Sequence, residues 1–178
     1  MELRKISVDE FEKIYSIMEA AFPKDERRPY EEQKLCLDNP KYSIAAISDT
    51  DSEPLGFIAY HCFDSFVFIE HFAISSKHRN MGIGGKMLAE FINKLNMPVC
   101  LEVEPPTTDL AKRRIEFYKK HGFFLNDYPY IQPPMSEGQA SLPLLIMTTQ
   151  KPLTSDEFKK VRSTLHKEVY KVNTDDYI

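Results

Sequence analysis

The sequence predicts an α/β fold built on a mixed sheet, and three observations support this class. Apolar runs follow the order strand, helix, helix, three strands, helix, strand, helix, strand, strand. The segment 66–103 forms a strand-helix-strand crossover, which requires parallel strands there, while the hairpin-like runs elsewhere require antiparallel pairing. With 178 residues, 42% of them hydrophobic, the chain can bury a core without disulfide or metal support.

The N-terminal segment is predicted to hold one strand and two helices. A strand at 3–6 leads into a Ser-x-x-Glu capping box that begins at Ser7 and opens an amphipathic helix. Pro23 is expected to end this helix. The charged run at 24–28 then predicts a solvated loop, followed by a second short helix at 29–37.

A hairpin and a long strand are predicted next. A polar turn at 48–54 separates two β-rich runs, 42–47 and 55–62, which should pair antiparallel. Residues 65–74 form the longest β-like run, and only an acid and a histidine interrupt its apolar character.

Two helices flank the next strand. Residues 83–95 carry apolar side chains at helical spacing up to the break at Pro98, and 99–103 is a strand. A helix at 107–121 has basic residues in its last turn and Gly122 just past its end, as helix C-termini prefer.

The C-terminal part is predicted to contain two strands and one helix. Strands at 123–125 and 144–149 flank a long loop, 126–143, that contains proline and aromatic residues. Residues 155–171 form a polar helix that we interpret as an appendage to the domain.

Charge and cysteine content narrow the functional classes. The balance of 23 basic and 27 acidic residues gives no general cationic face, which argues against a nucleic-acid-binding protein. The N-terminus lacks the apolar run of a secretion signal or a membrane span. Three widely separated cysteines without a CxxC pair indicate reduced thiols, a cytoplasmic protein and no structural zinc.

The most informative segment is glycine-rich. Three of the six glycines fall within four residues, 82–85, where a strand ends and a helix begins. Unpaired backbone N–H groups and the positive end of a helix dipole meet there, so the pattern indicates a phosphate or pyrophosphate site flanked by Arg79 and Lys86. The alternative, a tight turn without a ligand, explains one glycine well and three poorly.

Two common nucleotide motifs do not fit this segment. A Walker loop needs glycine at Asn80 and a hydroxyl at Met87, so it fails at both positions. A Rossmann fingerprint that begins at Gly82 needs its last glycine at Met87 and should open the domain.

Two motifs together resemble one enzyme family. Arg79-x-x-Gly82-x-Gly84, preceded by a strand that ends at 72–74, resembles the acyl-CoA-binding motif of the GNAT superfamily of N-acetyltransferases. The segment 117–123, which reads FYKKHGF, resembles the helix and strand that bring a tyrosine beside the cofactor thiol in that family. The resemblance covers about residues 1–150 and leaves 151–178 as a C-terminal helical extension.

The resemblance implies a fold and an activity. The implied fold has six to seven mostly antiparallel strands, one splayed parallel pair and helices on both faces. The implied enzyme is cytoplasmic and transfers acetyl from acetyl-CoA, without a metal, to a primary amine by direct attack in a ternary complex. The acceptor is a small molecule or peptide of unspecified identity, neither nucleic acid nor membrane is a partner, and homodimers are common in the family. The alternative is a non-catalytic acyl-CoA-binding or sensor domain of the same fold.

The resemblance also implies which residues contact the cofactor. Strand residues are expected to pair with the pantetheine arm, and loop residues to bind the pyrophosphate. The expected cofactor-binding residues are Phe72, Ala73, Ile74, Arg79, Asn80, Met81, Gly82, Ile83, Gly84, Gly85 and Lys86.

Tyr118 is predicted to donate the proton that the departing thiolate needs, because a phenol has a pKa close to that of a thiol. This role rests mainly on the resemblance. The alternative is a core aromatic that packs on the apolar stripe of its helix with Ile115.

Glu70 is predicted to be the general base or the amine-binding acid. Strand alternation places Glu70, Phe72 and Ile74 on one face of the sheet, while His71 points to the other face. Apolar neighbours should raise the pKa of Glu70. The alternative is an acid at a sheet edge or bulge that an arginine holds. His71 is a weaker candidate base. Glu102 and Glu104, on the next strand, could also receive an amine, and the alternative is that both face solvent.

Overall fold

The computed structural model describes residues 2–48 and 53–177. The chain divides into two compact units, Met1–Val99 and Cys100–Ile178. The first unit contains β1 (Leu3–Lys5), α1 (Phe11–Ala21), α2 (Tyr30–Leu35), β2 (Tyr42–Ser48), β3 (Pro54–Cys62), β4 (Val67–Ile74) and α3 (Ile83–Asn93). The second unit contains nearly all of β5 (Val99–Val103), followed by α4 (Asp109–Lys120), β6 (Phe123–Gln132), β7 (Leu142–Thr149) and α5 (Ser155–Thr164).

The predicted fold class is confirmed. In the first unit β1 pairs with β2, β2 with β3 and β3 with β4, all antiparallel. In the second unit β7 pairs antiparallel with both β5 and β6. The Val67 N–H donates to the Pro98 carbonyl at 2.9 Å. The start of β4 therefore lies beside the residue that leads into β5, at the same end of the sheet. The sheet is therefore mostly antiparallel with one parallel pair, as the 66–103 crossover predicts.

The predicted hairpin is also confirmed. Ala45 pairs with Ile58 and Ile44 with Ala59 in the β2–β3 ladder. Residues 49–52 of the predicted polar turn lie outside the described residues.

Helices cover both faces of the first unit's strands. Phe57 and Ala59 of β3 pack in the core cluster that α1 completes with Phe11. Because side chains alternate along a strand, Tyr60 points to the opposite face, where its ring lies 4.9 Å from that of Phe91 on α3. Both helices thus bury an apolar stripe against the same strands.

The first helix begins as its capping residues predict. Ser7 and Glu10 form the capping box, and the Ser7 N–H donates to Glu10 Oε2 at 2.8 Å. A short 3₁₀ turn precedes Phe11, where α1 starts.

The predicted loop at 126–143 is much shorter than expected. β6 continues to Gln132 and β7 starts at Leu142, so only 133–141 connects them. The β6–β7 register shifts between Asn126 and Tyr130, and Pro129 lies within this irregularity. A proline cannot donate to a ladder, and it is tolerated at such a bulge.

The C-terminal helix packs into the second unit. Phe158 and Leu165 are buried, and the Phe158 ring stacks on Tyr128 at 4.7 Å. After Thr164 the helix continues as a π-helical turn, in which His166 Nε2 contacts the Ile131 carbonyl at 3.0 Å. The helix is thus packed against β6, while the division into a domain at 1–150 and a C-terminal extension at 151–178 stays a prediction.

Within residues 2–48 and 53–177, no helix is both long enough and apolar enough to cross a membrane.

Candidate active site

The glycine loop makes a left-handed turn into the first residue of α3. Gly82 is the N-cap of α3 and has a φ of 74°, in the left-handed region that favours glycine. Asn80 also has a positive φ, 64°, which asparagine tolerates better than most residues. The next N–H groups of the chain, those of Ile83 and Gly84, belong to the first turn of α3 and have no acceptor within the helix. They are available to an anion.

Two cations flank this turn. Arg79 and Lys86 are exposed, and Arg79 Nε donates to the Ile74 carbonyl at 3.2 Å. That bond fixes the Arg79 side chain against the end of β4. Met81, between them, is 64% exposed, so the loop presents an apolar side chain to solvent beside its charges.

The strand residues predicted to contact the pantetheine arm lie at the end of β4. Ala73 is buried in the core cluster under α1, while Phe72 and Ile74 are half-buried. Gly56 of β3 pairs with Ile74 of β4, and a Cβ added to Gly56 would lie 2.5 Å from Ile74 Cδ1. This close approach sets the position of the strand end that leads into the glycine loop.

Glu70 occupies a β-bulge. Ala59 pairs with His71 and Tyr60 with Ile69, so Glu70 has no partner of its own on β3. The extra residue reverses the alternation, and Glu70 points to the same face as His71. The prediction that the two residues take opposite faces is therefore wrong.

Glu70 lies in a polar cluster that we name the Glu70 cluster, formed by Arg28, Gln33, His61, Glu70 and His71. Arg28 Nη1 donates to Glu70 Oε1 at 2.8 Å, and the carboxylate is 1% exposed. His61 Nε2 lies 3.3 Å and His71 Nδ1 3.4 Å from its oxygens. Gln33 Nε2 donates at 3.5 Å and also donates to the Tyr42 hydroxyl at 2.8 Å.

The pKa of Glu70 moves opposite to the predicted direction. Burial alone would raise it, but the Arg28 guanidinium and the two imidazoles hold it well below the ordinary value. In return, although burial would lower the pKa of Arg28, the Glu70 charge raises it. The geometry is that of the alternative stated for this residue, an acid at a bulge held by an arginine.

The sequence does not predict a buried Arg28, since the charged run at 24–28 is typical of a solvated loop. Residues 24–26 form a short 3₁₀ turn, and Arg27 and Arg28 are both buried. Arg27 donates to the Tyr15 hydroxyl at 2.6 Å and to Glu19 at 2.9 Å. Buried charges need partners, and the partner of Arg28 lies 42 residues away in the chain. A run of local charges carries no signal of that pairing.

Tyr118 belongs to the second unit and lies on α4. Thr108 caps this helix by accepting from the Ala111 N–H at 3.1 Å, and Gly122 follows its end with a φ of 85°. The Tyr118 ring contacts Phe117 and Phe123 at centroid distances of 5.3 and 5.5 Å. Burial raises the pKa of Tyr118 to about 12, and the Arg114 charge offsets part of that rise.

Glu102 also lies in the second unit. Both of its oxygens accept hydrogen bonds, one from the Tyr130 hydroxyl and one from the Tyr170 hydroxyl at 2.7 Å. Tyr170 follows the C-terminal helix, so that helix contributes directly to the surroundings of this carboxylate. Glu104, two residues later, pairs with Arg114 at 2.8 Å on the surface.

No group of three His, Cys, Asp or Glu side chains in the described parts of the chain is arranged to hold a metal ion.

Comparison with known proteins gives a consistent result. The family model described as the acetyltransferase (GNAT) family matches residues 8–123. A solved structure from Bacteroides thetaiotaomicron, assigned to the same family, is 34% identical, with a TM-score of 0.89, and the match covers 97% of this chain and 100% of that one.

Two further matches are more limited. The protein YjbC of Bacillus subtilis (strain 168), assigned as an acetyltransferase, is 40% identical over 63 residues, 34% of this chain and 32% of YjbC. The chain thus matches about a third of the length of that curated relative. An aminoglycoside 6'-N-acetyltransferase solved with coenzyme A has a TM-score of 0.59 at 17% identity, with 87% of this chain and 100% of that chain covered. At this identity the likeness shows the fold alone.

Proposed function

Because the chain belongs to the GNAT acetyltransferase family, we propose that it transfers the acetyl group of acetyl-CoA to a primary amine. The amine attacks the donor directly while both substrates are bound. One observation carries the proposal. Gly82 adopts the left-handed conformation at the N-terminus of α3, directly after β4, and so presents unpaired backbone N–H groups between Arg79 and Lys86.

The residues of the first unit fit the donor. The first-turn N–H groups of α3 and the two exposed cations suit a pyrophosphate, and the coenzyme A bound to the aminoglycoside enzyme of similar fold supports this assignment. The backbone groups of 72–74 would hold the pantetheine arm. When bound, acetyl-CoA supplies an activated thioester.

Tyr118 is the proposed general acid. Its pKa of about 12 keeps the phenol protonated at neutral pH, and it can give its proton to a departing thiolate. Within the described residues its hydroxyl makes no hydrogen bond to the protein, so the proton is not committed elsewhere.

For Glu70 we propose a positioning role. A carboxylate can accept about four hydrogen bonds. The carboxylate of Glu70 is surrounded by the side chains of Arg28, Gln33, His61 and His71. A carboxylate with a depressed pKa is also a weak base. Glu70 would act by holding the guanidinium and the two imidazoles in place beside the bulge, a position where active sites are often found.

We place the enzyme in the cytoplasm, because all three cysteines are free thiols and two of them, Cys36 and Cys62, are not fully buried.

Acetyl-CoA binding can be measured as an increase in the unfolding temperature. We expect acetyl-CoA to stabilise the wild-type protein and to stabilise a Gly84→Leu variant much less, because the leucine side chain obstructs approach to the α3 N–H groups. Ala89→Leu, on an exposed position of the same helix, is the matched control and should bind normally.

Two results distinguish an acetyltransferase from a non-catalytic acyl-CoA-binding domain. Absence of stabilisation of the wild type by acetyl-CoA contradicts the proposed donor. Stabilisation without transfer to any amine would favour the non-catalytic binding domain instead.

A further inference from the structure

The Arg28 guanidinium has more donors than the protein uses. A guanidinium carries five N–H donors, and Arg28 contributes one hydrogen bond, from Nη1 to Glu70, within the described parts of the chain. Its side chain is 9% exposed, and no Arg28 nitrogen is among the described polar atoms that are both fully buried and without a partner, so the remaining donors reach solvent. Because the protein does not engage these donors, the guanidinium is suited to a second acceptor.

The charges around Arg28 favour an anion over a cation. In the Glu70 cluster, the single carboxylate already faces the Arg28 guanidinium and two imidazoles. That carboxylate already accepts from Arg28 and Gln33 and is only 1% exposed, so an incoming ammonium group has little access to it. An incoming carboxylate finds guanidinium donors that nothing else engages.

Arg27, the neighbouring buried arginine, has more of its guanidinium donors bonded to the protein than Arg28 has. It has the same burial as Arg28, but it is bonded to Tyr15, Glu19 and the Phe22 carbonyl. Two neighbouring arginines thus differ in how fully the protein satisfies them.

The Glu70 cluster lies close to the proposed donor site. Glu70 precedes Phe72, the first of the proposed pantetheine contacts, by two residues of the same strand. Strands rise about 3.3 Å per residue, which gives a separation of roughly 7 Å along β4. A small molecule can span this distance.

We propose that Arg28 binds a carboxylate of the acceptor, and that the acceptor class is therefore amino acids and related amines that carry a free carboxylate. This inference rests on the proposed acetyl transfer. Polyamines and other polycations, which offer only ammonium groups to the Glu70 cluster, are disfavoured.

Matched pairs of acceptors test the inference. Amino acids and their carboxamides are assayed with acetyl-CoA by release of free CoA, with spermidine as the polycation. We expect kcat/KM to be at least about tenfold higher for an acid than for its amide, because a charge-assisted bond to a buried guanidinium is lost in the amide.

The Arg28→Lys variant locates the effect. It keeps the charge beside Glu70 but loses the planar fork, so the preference for acid over amide should fall to near one, while stabilisation by acetyl-CoA stays unchanged. Arg27→Lys is the matched control, with equal burial and a different set of partners, and it should keep the preference.

The outcomes separate this inference from the proposed function. Equal kcat/KM for acids and amides, or a preference for spermidine, overturns the inference and leaves acetyl transfer intact. Absence of transfer to every amine contradicts the proposed function.

If no amine is acetylated, binding alone still tests the inference. The unfolding temperature of the CoA-bound protein is measured with N-acetylglycine and with N-acetylglycinamide. Stabilisation by the acid alone, lost in Arg28→Lys, supports it. Equal effects of acid and amide overturn it.

Discussion

Tyr118 keeps its proton because its surroundings are apolar. The rings of Phe117 and Phe123 flank the phenol, and burial raises its pKa to about 12. A general acid must be protonated at the working pH, and this environment ensures that state throughout the physiological range.

Replacement of this hydroxyl tests its role. We expect Tyr118→Phe to lower kcat by about 10²–10⁴-fold, with little change in stabilisation by acetyl-CoA. Phe117→Leu, a change in the adjacent ring, is the control for packing alone and should alter kcat far less. Unchanged kcat in Tyr118→Phe would show that another group supplies the proton.

The pH dependence gives a second test at this residue. Since the pKa lies near 12, ionisation of Tyr118 should cause no fall in kcat between about pH 7 and 10. A kcat profile of the wild type that falls in this range, and a Tyr118→Phe profile that does not, would contradict the raised pKa.

Removal of the Glu70 charge should destabilise the fold. The change Glu70→Gln leaves Arg28 buried without its counter-charge, which typically costs about 3–5 kcal/mol. Glu116→Gln, at an exposed pair with Lys119, should cost within about 1 kcal/mol. Unfolding in denaturant measures both values, and similar losses for the two variants would contradict the account of this ion pair.

The sign of the pH effect follows from the depressed pKa of Glu70. The carboxylate binds a proton less readily in the folded chain, so its contribution to stability is present above the unfolded pKa of about 4.3. It is lost as the pH falls from there through the folded pKa. The stability difference between wild type and Glu70→Gln should therefore shrink on acidification below about pH 4, and a difference that grows would reverse the assignment.

At the scale of elements, the turn before α3 combines two properties of glycine. Gly82 adopts a positive φ, and a Cβ built there would meet no atom within 4 Å. Strain and steric obstruction are therefore separable at this position. Gly138 has a similar φ, 81°, and an equally open environment in the β6–β7 connection.

These two glycines form a matched pair for mutagenesis. We expect Gly82→Ala and Gly138→Ala each to cost roughly 1–2 kcal/mol of stability through left-handed strain. Weakened acetyl-CoA binding is expected for Gly82→Ala only, as read from ligand-induced shifts in unfolding temperature. Equal loss of binding in both variants would mean that the turn has no direct role.

The C-terminal helix and its π-helical turn contribute to the core of the second unit. Leu165 is completely buried, so Leu165→Ala should cost about 2–5 kcal/mol. Lys159→Ala, on the exposed side of α5, should change stability by less than about 0.5 kcal/mol. Equal stabilities of the two variants in thermal unfolding would indicate an appendage after all.

For the molecule as a whole, the sequence predicted what local pattern determines. Capping at Ser7, the hairpin of β2 and β3 and the glycine turn before α3 all arise from residues close in the chain, and each was confirmed. These elements and the 66–103 crossover were enough to predict the fold class.

Features that depend on distant partners escaped prediction. The bulge at Glu70 exists only relative to the register of β3, and periodicity along β4 alone gives the wrong face. The burial of Arg28 depends on an acid 42 residues away. The packing of the polar helix at 155–171 also escapes prediction, because its few apolar residues, such as Phe158, do not reveal partners as distant in the chain as Tyr128.

Acetyl transfer itself is the most direct test of the proposed function. Purified protein is incubated with acetyl-CoA and a panel of amines that includes amino acids, amino acid amides and spermidine, and acetylated products are identified by mass spectrometry. The account predicts amine-dependent release of CoA, with an N-acetylated product, that is strongly reduced in Tyr118→Phe. Release of CoA at the same rate with and without every amine, and no acetylated product, would contradict it.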